Sequence, residues 1–152
     1  MSYQIAKMIG AASLALIIST PLAIADDHVK TMTVYNDASG DTYQSFGRAD
    51  GIGDKILWRS NMQTEDGEVI GVGSGHCTQL DAEKNFFCAF TIDLDGRGIL
   101  AGQGVQLTEP APSTYPITGG TGEFEGVTGS IVSMPVEDRA RFVYEISYRD
   151  GT

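Results

Sequence analysis

The hydrophobic positions of this chain recur at every second residue in a series of short runs. No run sustains the 3.6-residue period of a helix. In Arg139–Tyr148, Ala140, Phe142, Tyr144, Ile146 and Tyr148 share one face, while Arg139, Arg141 and Glu145 lie opposite. That pattern predicts a strand with one buried and one wet side. In Gly98–Leu107, Ile99, Ala101, Gln103, Val105 and Leu107 share a face, read here as the buried one, with a single amide among four apolar side chains. Further strands are predicted at Thr31–Asn36, at Lys55–Asn61 around the only tryptophan, at Gly67–Gln79 and at Asn85–Leu94. A short segment begins at Ile117, and another strand follows at Val127–Met134.

The punctuation between these runs is that of turns. Asp37–Asp54 is rich in Asp, Ser, Gly and Thr and reads as a long loop at the rim of a pocket, with Tyr43 and Phe46 as anchors. Asp81–Lys84 reads as a hairpin tip, Asp95–Gly98 as a turn, and Pro135–Asp138 as the link into the last strand. Pro110, Pro112 and Pro116 are expected to break the ladder. Gly71, Gly73 and Gly75 align on the face that carries Cys77, which lets bulky neighbours or a ligand approach that backbone. The count is seven or eight strands joined mostly by short links. An eight-stranded antiparallel β-barrel is the expected fold, because closure removes exposed edges and leaves room for side chains or one small ligand.

The first 25 residues change the picture of what is folded. Lys7, an apolar core at Met8–Ile18 and the small-x-small sequence Ala23-Ile24-Ala25 form a secretory signal peptide pattern, cut after Ala25. The apolar core is too short to span a bilayer. The mature chain, residues 26–152, is then one domain in the periplasm or outside the cell. Removing Lys7 from 10 basic residues leaves 9 against 20 acidic ones, a net charge of −11. A field of that sign repels phosphate backbones and argues against nucleic acid as a partner.

Export also bears on Cys77 and Cys88, the only cysteines. In an oxidising compartment such a pair favours a disulfide, and both residues are equidistant from the Asp81–Lys84 tip. Closing so short a loop stabilises by roughly 2–3 kcal/mol in the chain-entropy picture. A structural zinc site wants about four ligands, and only His28 and His76 are on hand, so no metal is expected.

Other motifs are poor. Asp93–Gly98 lacks the later oxygen ligands of a calcium loop, and Gly71–Gly75 lacks the helix of a phosphate-binding turn. No Ser–His–Asp signature is present. Gln103, as an amide on an apolar face, needs a partner, either backbone at a bulge or a bound ligand. Tyr35, Tyr144 and Tyr148 are amphipathic rings that either pack or line a pocket.

One stretch is similar to a known family. Gln103-Gly104 with Leu107, then ITGGTGEFEGVTG at Ile117–Gly129 and a closing aromatic strand, resemble the allene oxide cyclase barrel and, more distantly, dirigent proteins. Gly51-Ile52-Gly53-Asp54, Ser60-Asn61 and Gly73-Ser74-Gly75-His76-Cys77 extend the likeness upstream. The resemblance implies an eight-stranded barrel, often a homo-oligomer (dimer or trimer), with a largely apolar cavity and no cofactor. By position Asn61 matches the asparagine that holds an ordered water, and Cys77 matches a pocket cysteine. Asn36 aligns with the family's first-strand asparagine. The family's glutamate and water-holding proline have no counterpart, so the implied reaction differs from that of the plant cyclases.

The first reading is therefore a cofactor-free cyclase or isomerase for a hydrophobic, reactive small molecule, with ring closure favoured by confinement. Asn61 and Gln103 would hydrogen-bond the substrate, and Tyr35, Asn36, Trp58, Phe90 and Tyr144 would line the cavity. The alternatives are a non-catalytic lipocalin-like binding barrel and a structural or dirigent-like barrel with a filled lumen.

Overall fold

The computed structural model describes residues 28–108, 111–136 and 140–151. The signal peptide expected at 1–25, Pro110, Asp138 and Arg139 lie outside the described residues. The chain forms β1 (Lys30–Asp37), β2 (Thr42–Gln44), β3 (Lys55–Gln63), β4 (Val69–Gln79), β5 (Phe86–Leu94), β6 (Gly98–Gln106), β7 (Ser113–Gly120), β8 (Thr128–Val136) and β9 (Arg141–Arg149). Two single-turn 3-10 segments, Ala38–Gly40 and Gly122–Phe124, complete the described elements.

From β3 to β9 each strand pairs antiparallel with the next, and β9 pairs with β1. The end of β1 then meets β3 at Tyr35↔Gln63 and Asn36↔Met62, which closes an eight-stranded barrel. Short β2 covers the other half of the same β3 edge. It lies inside the expected Asp37–Asp54 loop. The 3-10 turn breaks β1 from β2 so that both can follow β3.

Cys77 and Cys88 face each other across β4 and β5 and are joined as a disulfide. Pro116 lies within β7, where the proline pattern suggested a broken ladder. It pairs with Ser130 of β8, and pairing to β6 ends at Gly102↔Ile117. The residue with no N–H thus falls where its inner-strand neighbour has already diverged. Ala101↔Gly119 followed by Gly102↔Ile117 leaves Thr118 as an extra residue in that ladder.

The buried side chains are graded along the barrel axis. Met62, Ile92, Leu94, Leu100, Phe124 and Ile146 pack the end that holds the 3-10 turn Gly122–Phe124. Phe124 is fully buried and meets the Tyr148 ring edge-on at 5.6 Å. Arg97 lies 5.2 Å above the Phe124 ring and forms a two-pronged ion pair with Glu123, which also accepts from Tyr148 Oη. The Gly119–Gly122 motif is therefore the start of a plug that seals one end.

The inward face of β9 is the one its pattern predicts, with Tyr144, Ile146 and Tyr148 buried. On β6 the faces are reversed from expectation. Leu100 and Gly102 are buried, whereas Gln103, Val105 and Leu107 are exposed. The reason is crowding on the concave side. A Cβ on Gly102 would come within 2.9 Å of Phe90, and one on Gly75 of β4 within 2.8 Å of Trp58. Large rings inside the barrel demand small residues opposite them, and the glycines supply the space.

Candidate functional site

At the end opposite the Phe124 plug the lumen opens into a cavity of about 360 Å³. Its rim comes from the end of β1, the 3-10 turn after it, the β4–β5 hairpin and the starts of β3 and β9. Trp58 lies on the wall, and Phe90 is buried beneath it in a cluster of rings. Phe90 stands 6.2 Å from Trp58, 6.0 Å from Tyr144 and edge-on to Tyr115 at 5.0 Å. Ile56, Phe86 and Phe142 extend the apolar wall toward the mouth. These inward positions follow from strand alternation, and the ring contacts hold each face in place.

Several polar groups interrupt this surface. Asn36 is 3% exposed; its Nδ2 donates to Ser60 Oγ at 3.1 Å, and its Oδ1 is buried with no hydrogen-bond partner. Gln106 Oε1 lies 3.3 Å from Cys88 Sγ and accepts from Tyr115 Oη at 3.4 Å. Cys77 of the disulfide also lines the cavity. Asp41 and Lys84 bring opposite charges to the rim.

Asp41 is exposed as a residue, yet its carboxyl hangs over the cavity. Desolvation there, reinforced by the Asp37 charge, raises its pKa to about 6. Among the described residues no hydrogen bond or ion pair reaches that carboxyl. Asp54 shows the opposite behaviour: it accepts from Tyr43 Oη and from the Phe46 N–H at 2.7 Å, and these bonds lower its pKa. Asp54 thereby holds the 41–54 segment through the Tyr43 phenol and the Phe46 backbone; the two rings expected as anchors are themselves more than half exposed and do not pack on the core. Burial raises the Tyr115 phenol to about 12 and raises Tyr144 further, so both rings are neutral donors in the cavity region.

The residues singled out from sequence separate into two groups. Asn36, Trp58 and Tyr144 line the cavity and Phe90 underlies it. Asn61, Gln103 and Tyr35 do not reach it. Asn61 alternates with the inward Ser60 and Met62 and is exposed beside Arg59 and Val72 on the outer wall. Gln103 is exposed on the outer face of β6, next to His76 and Ala89. Tyr35 points outward beneath the Arg141 guanidinium, 4.8 Å from its ring.

The amide that does enter the lumen is Gln106, three residues past Gln103. Alternation from Leu100 through Gly102 and Gly104 leads to it, and the two glycines were the signal of the crowded side. Asp41 gave no signal, because its position depends on the 3-10 turn. Among the described residues no three His, Cys, Asp or Glu side chains gather as a metal site.

Comparison with known proteins places this geometry. A comparison with curated protein sequences returns no match. Among solved structures, the chain is similar to a pyocyanin demethylase at 25% identity, over 78% of this chain and 99% of that one, with a TM-score of 0.69. It is similar in fold to the pterocarpan synthase dirigent protein PsPTS1, at 15% identity, over 82% and 97% of the chains, with a TM-score of 0.67. The exo-specific intermolecular Diels-Alderase AbnU shares the fold at 12% identity, over 81% and 99%, with a TM-score of 0.67. Residues 31–147, nearly all of the barrel, match the family described as allene oxide cyclase barrel like domain, and the chain belongs to that family.

Proposed function

We propose that this protein is an exported barrel enzyme of the cyclase or isomerase type, which holds one hydrophobic, ring-bearing or ring-forming molecule in its open end. The observation that carries the reading is the one-ended cavity: aromatic below, apolar at the sides, with a few polar groups that include Asn36, Gln106, Thr108, Asp41 and Lys84. A volume of about 360 Å³ falls in the range of small-molecule sites. Such a pocket favours reaction by confinement, because a flexible chain held near its ring-closing geometry has less entropy left to lose. No cofactor is required for that effect. The demethylase and Diels-Alderase it resembles in fold support small-molecule chemistry in such a barrel.

The polar groups assigned to the substrate are Asn36 and Gln106, in place of the Asn61 and Gln103 expected from sequence. Export on the leader at 1–25 and association into a dimer or trimer belong to the same proposal. A non-catalytic carrier is the second reading, favoured by the apolar majority of the wall. A lumen filled from end to end does not fit the open half of this barrel.

Native mass spectrometry of the protein purified from its own host is the test. One organic molecule per chain, which on incubation converts to an isomer of equal mass resolved by chromatography of the released molecule, is the expected result. One molecule recovered unchanged would favour the carrier. A bare chain, with Trp58 emission unaltered across a library of fused-ring aromatics, would overturn both.

A further inference from the structure

Two acceptors at the open end, one buried and one on the exposed rim, receive no donor from the protein. Asn36 Oδ1 is buried and unpartnered although its own Nδ2 is bonded to Ser60. The Asp41 carboxyl, whose pKa is raised, receives no hydrogen bond or ion pair among the described residues, whereas the carboxylates with clearly lowered pKa values each have a donor against them. A buried acceptor with nothing to accept costs free energy, and a carboxylate losing its water costs more. Both costs are relieved by a ligand that brings hydrogens.

We infer that the open end selects aromatic molecules carrying an acidic O–H or N–H, with Asp41 receiving that hydrogen and Asn36 Oδ1 accepting a second one. This rests on the ligand-cavity reading above and narrows its substrate class. An uncharged ether or hydrocarbon of the same shape would fill the ring cluster but leave both acceptors empty. As a base, the Asp41 carboxylate takes the proton and becomes a carboxylic acid. The electron pair stays on the ligand, beside the Lys84 ammonium at the same rim. Returning the proton to a different ligand atom completes an isomerisation with no change in atoms or electrons. Groups that share this rim and set its charge are Asp37 and Asn36 from β1, Lys84 from the β4–β5 hairpin and Tyr144 from β9. Asp37 opposes ionisation of Asp41, and Lys84 carries the opposite sign.

The test uses 2-naphthol and its donor-free ether, 2-methoxynaphthalene, titrated calorimetrically into the mature protein. With a charge-assisted hydrogen bond at stake, naphthol should bind roughly tenfold or more tightly than the ether at about pH 7.5. The preference should shrink as pH falls through about 6, where Asp41 becomes neutral. Asp41→Asn should lose the pH dependence while still binding the ether. Should that variant fail to fold, carbon NMR of the Asp41 carboxyl in the unaltered protein decides. Its pKa should fall when naphthol binds, because a donor favours the charged form, and should not fall with the ether. Equal affinities for the two probes at every pH, or a carboxyl pKa indifferent to naphthol, would overturn the inference. Failure of both probes to bind would overturn the cavity reading beneath it.

Discussion

Replacing Asp41 by Asn removes one charge from the cavity rim and keeps the side chain's shape. In the folded protein desolvation lifts this carboxyl from its ordinary 3.8 to about 6. A raised acid favours its neutral form in the fold, so its contribution is complete below pH 3.8 and is lost as pH rises through about 6. Taken at face value the rise is worth about 3 kcal/mol at 1.36 kcal/mol per pH unit. Asp41 is exposed, and water screening at the rim brings the expected effect down to about 1 kcal/mol. The neutral amide of the variant carries no such penalty. Urea unfolding should therefore show Asp41→Asn gaining about 1 kcal/mol on the unaltered protein between about pH 4 and about pH 7.5, with unchanged denaturant slopes. A stability difference that stays flat over that interval would refute the desolvated placement of Asp41. A variant that loses ground at the higher pH would refute it more strongly.

Three further outcomes follow from the barrel. Reducing the Cys77–Cys88 bond should lower stability by roughly 2–3 kcal/mol, read from urea unfolding with and without reductant; identical curves would show that the bond constrains nothing. Phe124→Ala should cost about 3–5 kcal/mol, because the ring is fully buried in the plug, and a loss below about 1 kcal/mol in thermal unfolding would mean that the sealed end is loosely packed. Glu123 is held at a pKa of about 2, chiefly by Arg97 and then by Tyr148. Its contribution is present above the ordinary 4.5 and is lost as pH falls through about 2. At 38% side-chain exposure Glu123→Gln should cost no more than about 1 kcal/mol at neutral pH, and 1 M salt should reduce the loss.

The fold was legible because closure rests on signals that are local in sequence. Alternation marked the strands, and the hairpin tip at Asp81–Lys84 put Cys77 opposite Cys88. The inner face of β9 was readable because charges occupy the other side. On β6 the same logic failed. Val105 and Leu107 are 44% and 42% exposed on the outer wall, so hydrophobicity pointed the wrong way while glycines occupied the inner face. Gln103 reads as an inward residue for that reason, and Gln106 reads as an outward one.

Asn61 rests on resemblance alone, although its neighbours Trp58, Ser60 and Met62 already define the inward phase of β3. Trp58, Phe90 and Tyr144 were easier, since large rings in alternating strands go where a barrel needs filling. Asp41 needed tertiary information. Its role at the rim exists only because the chain kinks through Ala38–Gly40 and re-joins β3 as β2.

The central claim is that one end of the barrel is sealed and the other receives a small molecule beside Trp58. As the only tryptophan, Trp58 makes its own fluorescence a direct reporter of that space. Titration with 2-naphthol, monitored by energy transfer from Trp58, should saturate at one molecule per chain. It should be abolished by Ala38→Phe, which fills the mouth from the rim. Saturable transfer that survives Ala38→Phe unchanged would place the molecule elsewhere on the barrel and contradict the account.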